Sequence, residues 1–387
     1  MIRGNEFVDC LRANGFDKVV GVPCSYFGEA FEAMERDDMY HSLSHEGLAL
    51  SYAVGRSATG RPTAMLLQNS GLGNLINPLT SLVLPYRTPL LAFMSLRGWP
   101  DPDADEPQHA VMGARAMDLL RAVDTKFVVL EPEPGALDCA VAEAVKWCDA
   151  REPYFVLVPK GVFAPASPPA VDGRGDLLDR DAAIRTLADV VGDLPIVAST
   201  GHNSRALYAA TDRPTHFYMQ GSMGHTAAFA LGVVAGLDEW VVVLDGDGSA
   251  LMHLSAMVDV GAARPVRLLH VVLDNAVFES TGAQPTSSSR IDLAAIAKGA
   301  GYAGARAVSG EAEFRAAIKT ALQAPLGPQL IVVATESDRR EVLPRVSGSL
   351  SQPDLHERFS AAVRPKRTAR TASRGRFTDM RARITGR

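Results

Sequence analysis

Residues Val241 to His253 read VVVLDGDGSALMH, and the reading of this stretch decides the fold. Four apolar residues lead into Asp245-Gly246-Asp247-Gly248, and a run of small and apolar residues with helical spacing follows. An unbroken apolar run of this kind reads as a strand buried on both faces, which belongs in a parallel sheet covered by helices. The carboxyl end of such a strand is where open α/β sheets place their ligands. Gly246 and Gly248 let the backbone approach a bulky group, and Asp247 points a carboxylate into the crevice. Read alone, the same four residues are also a tight turn with an Asp helix cap.

The surrounding chain repeats this rhythm. LPIVAST, EWVVVLDGDG, VRLLHVVLDN and PQLIVVATES are the strands expected after about Asp181, with helical patterns between them. An earlier set, DKVVGVP, PTAMLLQNSG, TPLLAFMSL and EPYFVLVPK, occupies the first 163 residues. Alternation of this type predicts parallel sheets with helices on both faces. The Pro-, Ala- and Gly-rich stretch Ala164 to Asp176 reads as an exposed linker. The expectation is therefore two doubly wound α/β domains, 1–163 and 181–364, joined by a linker over 164–180. Residues 365–387 form a basic tail with too few apolar residues for a packed core, so disorder is expected there.

Composition narrows the function. The 387 residues are 47% apolar and 21% charged, an ordinary globular balance. No basic, then apolar, N-terminal leader is present, nor a run of about 18 apolar residues, so a soluble cytoplasmic protein without membrane attachment is expected. The formal charge of -5 includes a tail with eight Lys or Arg and one Asp; removing that +7 leaves -12 for the body. An acidic body argues against nucleic acid as a partner. Cys10, Cys24, Cys139 and Cys148 show no metal-ligand spacing and read as reduced thiols.

A second strand, LLHVVLDN, ends in Asn275, 28 residues after Asp247. A neighbouring parallel strand reached through one helix needs about this separation. Carboxylate and amide oxygens at adjacent strand ends are hard donors suited to Mg2+, which binds through few protein ligands plus substrate phosphate. Gly246-Asp247-Gly248 followed by Asn275 resembles the signature of the thiamine-diphosphate enzymes. The resemblance implies that Asp247, Asn275 and the backbone carbonyl of Val277 hold Mg2+ on the cofactor's diphosphate, with Ser249 beside them. The family's usual Asn-Asn ending is Asp274-Asn275 here.

Further matches follow in the family's order. GSMGHTAAFALG (Gly221 to Gly232) looks like the segment in which Gly221 and Ser222 lead to Met223, the residue that wedges between the cofactor's two rings; a Met in a small-residue run is otherwise core. SHEGLALSYAVG places Glu46 where the family has its catalytic glutamate, on a first, pyrimidine-binding domain that precedes a diphosphate-binding one. A Glu at a helix start is otherwise a dipole partner. Such a glutamate shares a proton with the aminopyrimidine and thereby generates the C2 ylide.

The absence of a central third domain resembles the subgroup of phosphonopyruvate and sulfopyruvate decarboxylases, as do GVPCSYF, QNSGLGNLINPLTSL, DEPQH and STGAQPT. The subgroup's GWRGEPG is SLRGWPD here, and its Gly-Gly-Gln is Gly282-Ala283-Gln284. What the resemblance implies is decarboxylation of 3-phosphonopyruvate to phosphonoacetaldehyde and CO2 through an enamine. Sulfopyruvate decarboxylation, a carboligase that intercepts the same enamine and a non-catalytic homologue are the alternatives. Asn69, Ser70 and Gly71 are assigned to the pyrimidine pocket, and Ser280, Thr281 and Gly282 to diphosphate or substrate. Ser25 is a candidate for the substrate carboxylate or a turn-stabilising serine, and His109 a proton donor or an exposed loop residue. Arg97 is a candidate for the phosphonate or sulfonate, or a surface ion pair. Because Glu46 and Asp247 lie in different domains, the resemblance also implies a homodimer or higher homo-oligomer, with the two residues supplied by different chains.

Overall fold

The computed structural model describes residues 1–167, 177–324, 327–336 and 343–364. The greater part of the expected linker and the whole basic tail lie outside the described residues. In the first half, β1 (Lys18–Gly21), β2 (Tyr40–Ser42), β3 (Thr63–Gln68), β4 (Leu90–Ser95), β5 (Lys126–Val129) and β6 (Pro153–Val158) form one sheet in the order β2-β1-β3-β4-β6-β5. Every pairing in it is parallel.

The second half contains β7 (Ile196–Ala198), β8 (His216–Tyr218), β9 (Val241–Gly246) and β10 (Leu268–Asp274), then a two-stranded hairpin of β11 (Val277–Phe278) and β12 (Gln284–Pro285), then β13 (Gly304–Val308) and β14 (Gln329–Ala334). Its six-stranded sheet runs β13-β14-β10-β9-β7-β8, again all parallel. Followed from β8, this is the same path as in the first half, strand for strand. Each sheet reverses direction beside its first strand, between β1 and β3 and between β7 and β9, and that switch point opens the crevice in which such folds bind ligands.

The apolar runs are explained by burial on both faces. In β3, Ala64 and Leu66 join one core while Met65 and Leu67 join the other. In β9, Val242 and Leu244 pack on one side and Val241 and Val243 on the opposite side. With no solvent face, neither strand needs the polar alternation of a half-exposed sheet. All four cysteines are free thiols, and among the described residues no helix is long and apolar enough to cross a membrane.

Candidate active site

Asp247 is 3% exposed, at the point where β9 passes into the short helix Asp247–Met252. The parallel pairing of β9 with β10 brings Asp274 and Asn275 alongside. Hairpin β11–β12 then folds the chain back, so that Thr286 Oγ1 donates to Asp247 Oδ2 at 2.5 Å. Ser288 Oγ lies 3.2 Å from the same oxygen and 2.7 Å from Asp274 Oδ1. Burial pushes the Asp247 carboxyl up to about 7; Thr286 lowers it and nearby Asp274 raises it. Two carboxylates converging on one hydroxyl in a buried cleft repel each other, and a cation relieves that repulsion.

Asn275 is held at both ends of its amide. Its Oδ1 accepts from Val277 N at 3.1 Å, and its Nδ2 donates to Glu279 Oε2 at 3.2 Å. Asp247, Asn275, Val277, Gly246, Gly248, Ser249, Met223 and Ser280 line one cleft. A Cβ on Gly248 would lie 2.6 Å from the Phe278 ring, so glycine is required for this close approach. Ser249 Oγ accepts from Gly224 N at 3.1 Å and ties the Gly221–Gly224 segment to the end of β9. Hard oxygen donors on adjacent strand ends, in a crevice bordered by glycine backbone, fit a divalent cation carrying a diphosphate.

Backbone strain collects in the same loops. Ser222, Ala276 and Ala283 adopt left-handed φ of 55°, 60° and 58°, a region that favours glycine. The Thr281 hydroxyl turns into the hairpin, 3.0 Å from Phe278 O and 3.0 Å from Gln284 Oε1. It closes the turn, because a small β-branched hydroxyl satisfies local acceptors there.

In the first half, Glu46 begins the helix Glu46–Ala58 and is 5% exposed. His45 caps the helix, its Nδ1 accepting from Gly47 N at 3.0 Å. Asn74 Nδ2 donates to Glu46 Oε2 at 2.8 Å. A Cβ on Gly71 would stand 2.3 Å from Glu46 Oε1, so the glycine makes room for the carboxylate. Asn69 ties the ends of β3 and β4 together, giving a hydrogen bond to Arg97 O at 2.8 Å and taking one from Arg97 N at 3.2 Å. Ser70 is exposed and accepts from Gln68 Nε2 at 2.6 Å.

Asp105 organises the substrate-side candidates. Its oxygens take both Nε and Nη2 of Arg97 at 2.7 Å, and the guanidinium stands over the Tyr26 ring at 5.0 Å. Arg97 is thus neither an open anion clamp nor an exposed ion pair, with side-chain exposures of 16% for it and 11% for Asp105. His109 Nδ1 lies 3.1 Å from Asp105 Oδ1. The imidazole is buried rather than in a solvent-facing loop, and burial, then the Arg97 charge, lowers its pKa despite Asp105. Burial alone would raise the Asp105 pKa, but Arg97 and the Glu106 N–H hold it well below the usual carboxylate range. Ser25 sits exposed at the start of a short 3-10 turn after β1.

The halves touch at the carboxyl ends of their sheets, with Arg205 on the helix His202–Ala210. Arg205 Nη2 donates to Glu106 Oε1 at 3.1 Å, and Arg345 Nε lies 3.3 Å from the same oxygen. The rings of His45 and His253 are 5.1 Å apart. These contacts lie within one chain, whereas the resemblance implies that Glu46 and Asp247 meet from different chains.

Thr286, Ser288, Glu279, Arg180, Asn74 and Asp105 belong to these clusters without having been assigned roles from the sequence. QNSGLGNLINPLTSL, DEPQH and STGAQPT contain Asn74, Asp105 and Thr286, so a motif signal existed for those three.

Residues 199–333 match the family described as thiamine pyrophosphate enzyme, C-terminal TPP binding domain. A phosphonopyruvate decarboxylase of Streptomyces viridochromogenes is 37% identical over 382 residues, covering 94% of this chain and 95% of the relative. One from Streptomyces hygroscopicus is 39% identical over 350 residues, covering 86% and 87%. A sulfopyruvate decarboxylase of Methanosarcina acetivorans is 27% identical over 322 residues, covering 76% and 82%. With identity of this level across nearly the full length of both chains, this protein belongs to the phosphonopyruvate decarboxylase family of thiamine-diphosphate enzymes.

Proposed function

We propose that the chain decarboxylates 3-phosphonopyruvate to phosphonoacetaldehyde and CO2, with thiamine diphosphate and Mg2+. The observation that carries this reading is the pairing of buried Asp247 with half-buried Asn275 on adjacent strand ends in a chain 37% identical to a phosphonopyruvate decarboxylase over 382 residues. Thiamine diphosphate supplies the nucleophilic carbon and the electron sink that loss of CO2 from a 2-oxo acid requires. The residues of this chain do the rest.

Asp247, Asn275 and the Val277 carbonyl hold the metal, and the loops containing Gly221, Ser222, Gly246, Gly248, Ser249, Ser280 and Thr281 shape the diphosphate crevice. Met223, which lines the same cleft, would pack against the rings of the bound cofactor. Glu46, held by Asn74, exchanges a proton with the aminopyrimidine ring, whose pocket Asn69, Ser70 and Gly71 form. His109, with Nδ1 against Asp105, turns its other ring nitrogen to proton delivery. Ser25 receives the substrate carboxylate. Arg97 meets the phosphonate only through the donors that Asp105 leaves free.

We further infer that the protein is cytoplasmic and a homo-oligomer whose partner copy supplies the other half of each site. Leu48 and Tyr52, on the helix that Glu46 begins, are 57% and 38% exposed, an apolar face suited to a second copy.

Release of CO2 from 3-phosphonopyruvate, 3-sulfopyruvate and pyruvate at equal concentrations, with the cofactor and Mg2+ present, tests the reading. Preference for phosphonopyruvate is expected. Preference for sulfopyruvate would keep the chemistry and change the substrate; no release from any of the three would overturn the assignment. Product analysis with an added aldehyde acceptor separates a carboligase.

A further inference from the structure

The cleft around Asp247 also contains a buried ion pair that metal binding does not directly use. Arg180 Nη1 donates to Glu279 Oε2 at 2.7 Å, and each side chain is 6% exposed. The same Glu279 oxygen accepts from Asn275 Nδ2 at 3.2 Å. Arg180 begins the helix Arg180–Val191, which Asp179 caps by accepting from Ala182 N at 2.7 Å, and its Nε reaches Asp181 Oδ1 at 3.2 Å. Arg180, Glu279 and Asn275 all line the cleft that contains Asp247.

A primary amide has two ends of nearly equal size and opposite polarity, and only its oxygen end can serve a cation. An ionised carboxylate accepts hydrogen bonds and donates none. Glu279 can therefore face only the NH2 end of Asn275, which leaves Oδ1 on the side of the Val277 N–H. A carboxylate so placed beside Asp247 and an incoming diphosphate would be repulsive by itself. The Arg180 guanidinium supplies the compensating charge and restrains the carboxylate in position.

We propose that Glu279 is a positioning residue for the metal site, clamped by Arg180, whose task is to fix the Asn275 amide with its oxygen toward Mg2+. This rests on the reading of Asp247 and Asn275 as metal ligands. Partners one step out from a metal orient its ligands in this way, and their removal weakens metal affinity by about 10- to 100-fold.

Calorimetric titration of Mg2+ into the full-length protein at saturating thiamine diphosphate tests the proposal without measuring turnover. Glu279→Ala is expected to raise the Kd for Mg2+ by about 10- to 100-fold. Glu279→Gln keeps a carbonyl oxygen that accepts from Asn275, so its Kd should stay within about threefold of the parent. A merely structural ion pair makes the opposite demand, because both substitutions strand the Arg180 charge. Glutamine as weak as alanine, or alanine without effect, would overturn the proposal. If Glu279→Ala does not fold, Arg180→Met combined with Glu279→Ala removes the stranded charge and carries the same expectation. Asp247→Ala is the companion measurement. Unchanged Mg2+ affinity there would sink the metal-site reading itself, whereas a loss there with no change in Glu279→Ala would sink only this inference.

Discussion

The two halves follow one strand path and present different side chains at its end. After β3 the first half has Asn69, Ser70 and Gly71, with no ionisable side chain; after β9, the equivalent strand, the second half has Asp247. After β2 comes Glu46, held by Asn74; after the equivalent β8 comes Met223, with no charge at all. The sheet sets where the loops emerge, and in the proposed function a few residues just past the strand ends decide whether a half handles a metal or a proton.

The largest effects should separate those tasks. Glu46→Ala is expected to lower turnover by about 10²- to 10⁴-fold while Mg2+-dependent cofactor binding persists. Asp247→Ala should instead lose the binding itself, measured by the same calorimetry. Mixing the two inactive variants asks how the halves meet. If sites form between chains, half the dimers are mixed and each has one intact site, so about a quarter of the parent activity should return. No recovery would place the whole site in one chain, in which Glu106 already meets Arg205 and Arg345.

A subtler perturbation of the proton-handling half is Gly71→Ala. The added Cβ would stand 2.3 Å from Glu46 Oε1, and the carboxylate must move. Displacement of a catalytic group by about 1 Å can cost about 10²-fold in rate, so kcat should fall with little change in Mg2+ affinity. Equal losses in both would show that the halves are less separable than their geometry implies.

Asp105→Ala tests the substrate side, where the first half concentrates its charge. Removing this carboxylate leaves the largely buried Arg97 without its bidentate partner and His109 without its orienting oxygen. A stability loss of about 2 kcal/mol is expected from the stranded charge, read as a lowered urea midpoint. The loss of activity should exceed what unfolding explains, because the imidazole is free to rotate. Parent-like activity would remove His109 from the proposed mechanism.

The strands that the sequence made legible are β1, β3, β4 and β6 in one half and β7, β9, β10 and β14 in the other. In the two six-stranded sheets, the four that carried no clear signal, β2, β5, β8 and β13, are the edges. An edge strand has one neighbour and more solvent, and β13 shows it, with Arg306 and Ala307 exposed in Gly304–Val308. Without an apolar run on both faces, the pattern that marks a buried parallel strand is missing. Of the proposed site, Glu46, Asp247 and Asn275 were legible because they occupy local motifs just past strand ends. Ser288 and Glu279 were not, because their meaning comes from a hairpin that folds back onto Asp247 and from a helix start almost 100 positions earlier.

The smallest effect concerns Ala283, where this chain departs from the subgroup's glycine. Its φ of 58° lies in the left-handed region, where a Cβ crowds the backbone. Its N–H still bonds to Phe278 O at 3.0 Å, so the hairpin holds the strained residue in place. Ala283→Gly relieves the crowding but also loosens the unfolded chain, which offsets part of the gain. A net stabilisation of about 0.5 kcal/mol is expected in denaturant unfolding. The adjacent Gln284 is buried and lies 3.0 Å from the Thr281 hydroxyl, so the change should leave the turn closed and Asp247 still bonded to Thr286. A destabilised Ala283→Gly variant would mean that the alanine methyl packs favourably enough to outweigh its strain. The departure from glycine would then be a stabilising adaptation of the second half.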